Sequence, residues 1–509
     1  MVFLLFFLLA AAPLHAQTGA QTDELQKSVK RITDVLSIAR SQAADPVSLD
    51  QALYQGAIPG MLRELDPHSV FFDPDQYEQL KHMEESEQKG FGSIVSVLPG
   101  RVIVLQAMPG SPSQKAGLSP GDEILAINGI PLNRLEFEQL VQLLTVSRQR
   151  QAALVVRRPG NARLLQFVLD PALMDAPSVD RAFFLKAGVG YIRVSSFDPK
   201  TAAQLKDAIE KLGGKNLAGL VLDLRGNPGG VVQTSILSAA LFLKPGQQIM
   251  SVKGRAVKDQ EVDVPKNATP YAFPLAILID GKSASAAEIF SGAMQDHDRA
   301  VLVGELSYGK GLVQSIFPLS NSTAVALTTS FYYTPSGRSI QKPLRSGQLE
   351  FARSPQQFRT DAGRKVTGGG GLVPDIAIQP EPLNRLRMVL DASGVFTSFA
   401  TDYIQKHKVI DSFTVDPSVL DEFQLYASER RIQPSLAEWL DNKPWIQHRM
   451  EQEILNQAVG VEKGDEVEEK HDPVVEAAIN ALGRPLPGLP SSKTALLQRD
   501  KSSAAPTQR

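Results

Sequence analysis

The spacing of apolar residues changes character four times along this chain. In the segment LQKSVKRITDVLSIAR, Leu25, Val29, Ile32, Val35 and Leu36 recur at helical spacing, which predicts a helical segment over residues 22–89. The stretch LDPHSVFFDPDQYEQL breaks that period at Pro67 and Pro74, and a short helix follows. From Gly90 to Asp170 the apolar runs shorten to strand length. GSIVSVLPGRVIVLQAMPGSP reads as two strands around a Pro99-Gly100 turn. AGLSPGDEILAINGIPL sets a short strand, Ile124 to Ile127, between a Pro-Gly and an Asn-Gly turn. LEFEQLVQLLT has the pattern of an amphipathic helix, and AALVVRRPG and RLLQFVLD add two strands. Residues 90–170 are therefore expected to form a small β-rich module.

Beyond Val179 the pattern alternates between buried strands and helices. VGYIRVSSF, LAGLVLDLRGNPGG, PLAILID and AVLVGE are strand-like. TAAQLKDAIEKLG, VVQTSILSAALFL and SAAEIFSGAMQDH have helical patterns between them. This rhythm predicts an α/β core with a largely parallel sheet over residues 179–382. Residues 383–484 read as a helical C-terminal extension, with RLRMVLDA, LDEFQLYASERR and HRMEQEILNQAV as its clearest helices. Residues 485–509 lack apolar periodicity and are expected to be disordered.

The N-terminus, MVFLLFFLLAAAPLHAQ, is apolar from Val2 to Ala12 and ends in small residues. It reads as a secretory signal over residues 1–16, cut after Ala16. The run is shorter than the roughly 18–20 residues of a membrane span. No basic residue follows Met1, so an uncleaved anchor stands as the alternative. Either way the expectation is a protein working outside the cytoplasm, periplasmic or secreted. Its 53 basic and 55 acidic residues give a net charge of −2, which argues against bulk binding to nucleic acid or an acidic membrane. Membrane contact is expected at most through the N-terminus. The absence of cysteine excludes disulfides and thiolate chemistry, and the seven histidines show no HExxH spacing. No metal or cofactor is expected.

The candidate chemistry lies in GKSASAAEIFSGAMQD and ELSYGKGLVQ. Ser285 sits where an apolar strand gives way to a helix, whose first N–H groups favour negative charge. Ser283 competes with it for the roles of nucleophile and helix cap. Lys310, between Gly309 and Gly311, supplies an amine that can serve as base once desolvation lowers its pKa. If LVQSIF is a strand, Gln314 shares a face with Lys310 and can orient the ammonium. The N–H of Ala286 is placed to hold an oxyanion, and Gly229 and Gly230 in DLRGNPGG offer further backbone donors. Asp296 follows Ser285 by eleven residues, about 16 Å of helical rise, and is therefore read as structural. His297 is read as a packing or capping residue.

Two resemblances sharpen this picture. PGSPSQKAGLSPGDEILAINGIPL is similar to PDZ domains. The resemblance implies that KGFGSIV is a carboxylate-binding loop, with Gly90, Phe91, Gly92, Ser93 and Ile94 receiving a peptide C-terminus that adds as a strand. The motifs LDPHSVFF, VGYIRVSSF, DLRGNPGG, GKSASAAEIFSGAMQD, LSYGKGLVQ and GGGGLVPDI follow the order found in the C-terminal processing peptidases of family S41, across about residues 60 to 380. That resemblance implies a ClpP/crotonase-like α/β protease core with an inserted PDZ domain, an N-terminal helical part and a C-terminal helical extension. It implies a serine endopeptidase acting near apolar protein C-termini, without a cofactor, in which a bound tail moves a gating PDZ domain. Ser285 then corresponds to the nucleophile, Lys310 to the base and Gln314 to the third residue, with Gly230 and Ala286 as the oxyanion hole. Two departures stand out: ELSYGKG replaces the more usual EPTFGKG, and the helical extension lies outside the motifs. The expected partners are proteins with exposed apolar C-termini. An adaptor and homo-oligomerisation are left open. The competing readings are a catalytically idle PDZ scaffold and a Ser-Lys amidase or esterase that its PDZ domain localises.

Overall fold

The computed structural model describes residues 19–84, 87–255, 257–343, 357–379 and 384–484. The expected signal segment and the expected disordered tail lie outside these residues. The chain divides into two compact units, one holding the N-terminal part to Tyr77 with residues 314–328, the other holding residues 78–313 and 329–509.

In the first unit, a helix runs from Gly19 to Gln42 and shorter helical turns follow from Leu49 to Arg63. The stretch expected to be helical is interrupted by a strand, Val70–Phe72, which pairs antiparallel with residues 324–326. The LDPHS turn explains the interruption. Asp66 accepts from the N–H groups of His68 and Ser69 at 2.8 and 2.9 Å and from the Ser69 hydroxyl at 2.7 Å. Such a turn offers the backbone an alternative to the helical ladder. A second correction lies in the other unit, where Glu87–Gly90 is a strand paired with Ala172–Asp175.

The β-rich module of the second unit has a sheet ordered Ser93–Leu98, Arg101–Ala107, Glu123–Ile127, Ala152–Arg157, Leu165–Leu169. The Pro99-Gly100 turn closes on the pair Leu98 and Arg101. Asn128 and Gly129 both have positive φ, 49° and 78°, as a two-residue turn between Ile127 and Ile130 requires. Helix Phe137–Ser147 packs Leu140 onto Val102, Ile124 and Val156.

The core sheet has six strands in the order Val179–Lys186, Val189–Val194, Gly219–Asp223, Leu275–Ile279, Val301–Gly304, Ile376–Ala377. All its pairings are parallel except the first. Every residue of the two central strands is buried, as expected where helices cover both faces. The alternation sorts them. Leu220, Leu222 and Ile277 join the helices Thr201–Lys211, Val232–Ala239 and Ala286–Asp296 in one core. Val221, Ala276 and Leu278 face Val475 and Ala478 of the helix Pro473–Ala481 in another. The last helix of the C-terminal extension thus covers one face of the core sheet.

The extension begins with four helices, Arg385–Ser393, Val395–Lys406, Pro417–Glu429 and Leu436–Ala458, around Phe396, Phe399, Phe423, Trp439 and Ile446. The last of these starts twelve residues before the expected HRMEQEILNQAV and continues through Pro444. It is opened by a capping box between Ser435 and Glu438. The extension touches the β-rich module, where Arg101 donates to the Ser398 hydroxyl at 3.2 Å and the Val461 N–H to Gln106 at 3.1 Å. It also grips the core, through Arg181 with Asp465 and through Arg225 with Glu469 and Asp472. Among the described residues, no helix is long and apolar enough to cross a membrane.

Candidate active site

Strand Leu275–Ile279 delivers the chain to Asp280, whose Oδ1 accepts from the N–H groups of Gly226, Lys282 and Ser283. Ser283 is buried, and its hydroxyl donates to the Leu224 carbonyl at 2.7 Å. That bond fastens the loop, so the Ser283 hydroxyl holds the turn rather than capping the helix. Ser285 is half-buried and is the N-cap of helix Ala286–Asp296, with φ 53° and ψ −115°. A residue with a side chain rarely adopts this combination.

The glycine turn of DLRGNPGG lies against this serine. Asn227 anchors it, donating to the Val194 carbonyl at 2.7 Å and accepting from the Gly229 N–H at 2.8 Å, while its own carbonyl accepts from the Ala284 N–H at 2.9 Å. Gly229 has φ 95°, and a Cβ there would fall 2.8 Å from Ser285 Cβ and 2.9 Å from the Ala286 nitrogen. Only glycine fits. Gly230 bridges to Phe197, whose carbonyl accepts the Val231 N–H at 2.7 Å. No described residue accepts the N–H of Gly230 or of Ala286. Among the described residues these two donors are unused, one following Ser285 in the chain and one following Gly229.

Lys310 lies in a pinned turn. Tyr308 N–H donates to the Ser283 carbonyl at 3.0 Å, Ser307 N–H to Leu372 at 3.1 Å, and Gly311 N–H to Gln341 Oε1 at 2.8 Å. The strand Leu312–Pro318 starts two residues after Lys310, so the expected shared strand face with Gln314 does not apply to the lysine. Gln314 is on that strand and donates its amide to the His68 carbonyl at 2.6 Å.

The contacts of Glu288 decide where serine and lysine stand. This carboxylate is fully buried. Its Oε2 accepts from Ser285 N–H and from Lys310 N–H, both at 2.9 Å. The two backbone nitrogens therefore lie within about 6 Å of each other. Its Oε1 accepts from the Ser307 hydroxyl at 2.5 Å and Gly309 N–H at 2.7 Å. Burial pushes the Glu288 carboxyl above its ordinary value, and these donors oppose the rise without cancelling it. The sequence carries one sign of this arrangement, a Ser-x-x-Glu capping-box spacing at 285–288.

Asp296 and His297 are elsewhere. Asp296 accepts from Arg338 Nη2 at 2.7 Å and from Ser336 N–H at 2.9 Å, with both charged side chains out of solvent. His297 caps the far end of the serine helix, with Nε2 2.6 Å from the Gln248 carbonyl and Nδ1 2.7 Å from Asp361. Sequence reasoning missed Arg338 because its partner lies 42 positions away and no local pattern marks the pair.

A second site lies in the β-rich module. Gly90, Phe91, Gly92, Ser93 and Ile94 all line a cavity of about 400 Å³, whose wall includes Leu144 and Thr145 of the amphipathic helix. Strand Ser93–Leu98 is the free end of its sheet order. Gly92 has φ 70°, and a Cβ there would meet Ser111 at 2.3 Å and Met174 Sδ at 2.8 Å. The cavity suits an extended chain that pairs with the strand edge and ends at the loop.

The description of peptidase family S41 matches residues 188–347, and that of a PDZ domain matches residues 103–158. The chain is 34% identical to a carboxy-terminal-processing protease of Bartonella bacilliformis, over 66% of this chain and 78% of that protein. It is 31% identical to the carboxy-terminal processing protease CtpB of Bacillus subtilis, over 65% of this chain and 69% of that protein. Among solved structures, the photosystem II D1 C-terminal processing protease is 25% identical with a TM-score of 0.38, covering 67% of this chain and 86% of that one.

Proposed function

Because this chain belongs to the carboxy-terminal processing proteases of peptidase family S41 and carries a PDZ domain, we propose that it cleaves protein tails with a Ser285–Lys310 pair. As a member of that family it is a serine-type peptidase. The observation that carries the finer reading is the convergence of the Ser285 and Lys310 N–H groups on one Glu288 oxygen. In this reading the neutral Lys310 amine takes the Ser285 hydroxyl proton as the oxygen attacks the scissile carbonyl. A base must be neutral to take that proton, so this reading requires the Lys310 amine to have lost its own proton before the attack. The tetrahedral oxyanion is held by the N–H groups of Gly230 and Ala286. The ammonium then protonates the departing amine, and the same cycle with water releases the acyl group. Gln314 enters this reading through the motif order alone, as the group that orients the amine.

The PDZ cavity supplies selectivity. An apolar C-terminal tail adds to the edge of strand Ser93–Leu98, its carboxylate meeting the loop from Gly90 to Ile94. Tethering raises the local concentration of substrate at the catalytic serine. The apolar N-terminus suits work outside the cytoplasm.

The test incubates the protein with an unfolded polypeptide ending in apolar residues and reads new C-termini by intact mass. Ser285→Ala and Lys310→Met are each expected to lower turnover by roughly 10³-fold or more. Full cleavage by Ser285→Ala would remove the nucleophile assignment. Hydrolysis of small esters with no cleavage of the polypeptide would favour the amidase or esterase reading, and no hydrolysis of either would favour the scaffold.

A further inference from the structure

We propose that Glu288 and Tyr332 form a positioning brace that holds Ser285 in its strained conformation and fixes the Ser285 turn to the Lys310 turn. The inference rests on the Ser-Lys reading above, in which Glu288 serves only to locate the two turns and Tyr332 has no part.

The argument begins with Ser285. Its φ of 53° and ψ of −115° cost energy unless the surroundings impose them. Its N–H is held by a group that also holds the lysine turn, and its carbonyl, which accepts from the Glu288 and Ile289 N–H groups of its own helix at 2.8 and 2.9 Å, is reached by a second such group. The N–H donates to Glu288 Oε2, which accepts Lys310 N–H as well. The Ser285 carbonyl accepts from the Tyr332 hydroxyl at 3.2 Å, and the Tyr332 N–H donates to the Gly311 carbonyl at 3.0 Å. Glu288 thus ties the two turns through their N–H groups, and Tyr332 ties them through their carbonyls.

A helix cap alone does not account for Glu288. A capping-box carboxylate satisfies the N-cap N–H of its own helix. Glu288 does so with one bond and spends three on the segment 307–310, about twenty residues on. All four partners donate, so the arrangement uses the acceptor-only, ionised carboxylate. Burying such a charge costs several kcal/mol unless it is fully hydrogen-bonded, and this one is. Tyr332 is likewise buried, 1% exposed, with its hydroxyl aimed at the nucleophile's carbonyl. Neither side chain is placed to touch a substrate, so both act through Ser285 and Lys310.

Displacing a reacting group by about 1 Å can cost on the order of 10²-fold in rate. The experiment measures kcat and KM on a tailed polypeptide for Tyr332→Phe, Glu288→Gln and the double variant, and the rate at which a fluorophosphonate modifies Ser285. Melting curves report folding. Tyr332→Phe removes one oxygen. Glu288→Gln keeps the shape but turns an NH2 toward N–H donors. The expected result is a fall in kcat and in phosphonylation rate of at least 10-fold for Glu288→Gln and at least 3-fold for Tyr332→Phe, with KM within 2-fold of wild type. The double variant is expected to fall less than the product of the singles, as for two parts of one brace. Unchanged kcat in either folded variant overturns the proposal, as does a rise in KM at constant kcat. If Glu288→Gln does not fold, Tyr332→Phe decides alone. If the phosphonate modifies a residue other than Ser285 in the wild type, the Ser-Lys reading fails first, and the two failures are told apart.

Discussion

Residue identity matters most here where a side chain joins segments far apart in sequence. Asp296 is the clearest instance. It stands in the GAMQD motif on the helix that Ser285 caps and invites a catalytic role, yet it neutralises Arg338, which is fully buried and also donates to Gln295 and to the Thr367 carbonyl. Removing one partner of such a pair leaves an uncompensated charge indoors. Asp296→Asn is therefore expected to lower stability by about 3–5 kcal/mol, read by chemical denaturation. The fraction that remains folded should still react with a fluorophosphonate at close to the wild-type rate, because Asp296 acts on the far end of the helix. Loss of reactivity without loss of stability would overturn the structural reading of Asp296.

At the scale of elements, two glycine loops are each fixed by backbone geometry that side chains cannot imitate. In the PDZ loop, Gly92→Val would place a branched side chain at φ 70° against Ser111 and Met174. The expected outcome is loss of binding to a fluorescent peptide with an apolar C-terminus. Proteolysis of tailed substrates should fall with it, and phosphonylation of Ser285 should persist. The DLRGNPGG turn is fixed from behind by a charge cluster. Arg225 binds Asp223 at 2.6 Å, Glu469 at 2.8 Å and Asp472, and the Tyr191 hydroxyl donates to Asp223 at 2.7 Å. Burial pulls the Arg225 guanidinium down, and its three carboxylate partners more than reverse this. Burial pushes Glu469 up to about 7, with Arg225 opposing and Asp223, Asp472 and Glu468 reinforcing the rise. The two shifts agree physically, because one cation faces more anions than it can neutralise and one carboxyl keeps its proton. The folded pKa of Glu469 exceeds its unfolded value of about 4.3, so its contribution is complete below that value and is lost as pH climbs through about 7. The melting temperature is expected to fall between pH 5 and 8, and more steeply for the wild type than for Glu469→Gln. Equal slopes would show that the proton resides elsewhere in the cluster.

At the scale of the whole molecule, the C-terminal extension has a structural task that its sequence did not announce. The helix Pro473–Ala481 covers Val221, Ala276, Leu278, Val301 and Val303 of the core sheet. The helix Val461–Lys470 links the β-rich module, at Gln106, to the Arg225 cluster, at Glu469. A chain ending at Gly460 would expose that sheet face and leave Arg225 with Asp223 alone. Each large aliphatic side chain that loses cover costs about 1.5–3 kcal/mol. Truncation is therefore expected to abolish cooperative unfolding of the core and to make it sensitive to limited proteolysis. A truncated chain with a wild-type melt would show that the extension is dispensable to the fold.

The period of the apolar residues by itself determined the parallel core strands, the amphipathic helix of the β-rich module and the helical character of the extension, and the Pro-Gly and Asn-Gly dipeptides determined the turns at Pro99-Gly100 and Asn128-Gly129. These features answer to local rules, in which each residue's preference depends on neighbours a few positions away. Glycines and a strand-to-helix junction mark the candidate serine and lysine in the local sequence, whereas the candidate carboxylate loop was implied only by the resemblance to PDZ domains. Tertiary structure alone decided that Ser283 fastens a turn while Ser285 takes the strained cap, that Arg338 absorbs Asp296, and that one carboxylate at 288 joins segments near 285 and 310. The strands Val70–Phe72 and Glu87–Gly90 belong to the same class, since each exists through a partner strand more than eighty residues away. Hydrogen bonds and ion pairs of that reach depend on which surfaces the folded chain brings together, and no window of sequence encodes that.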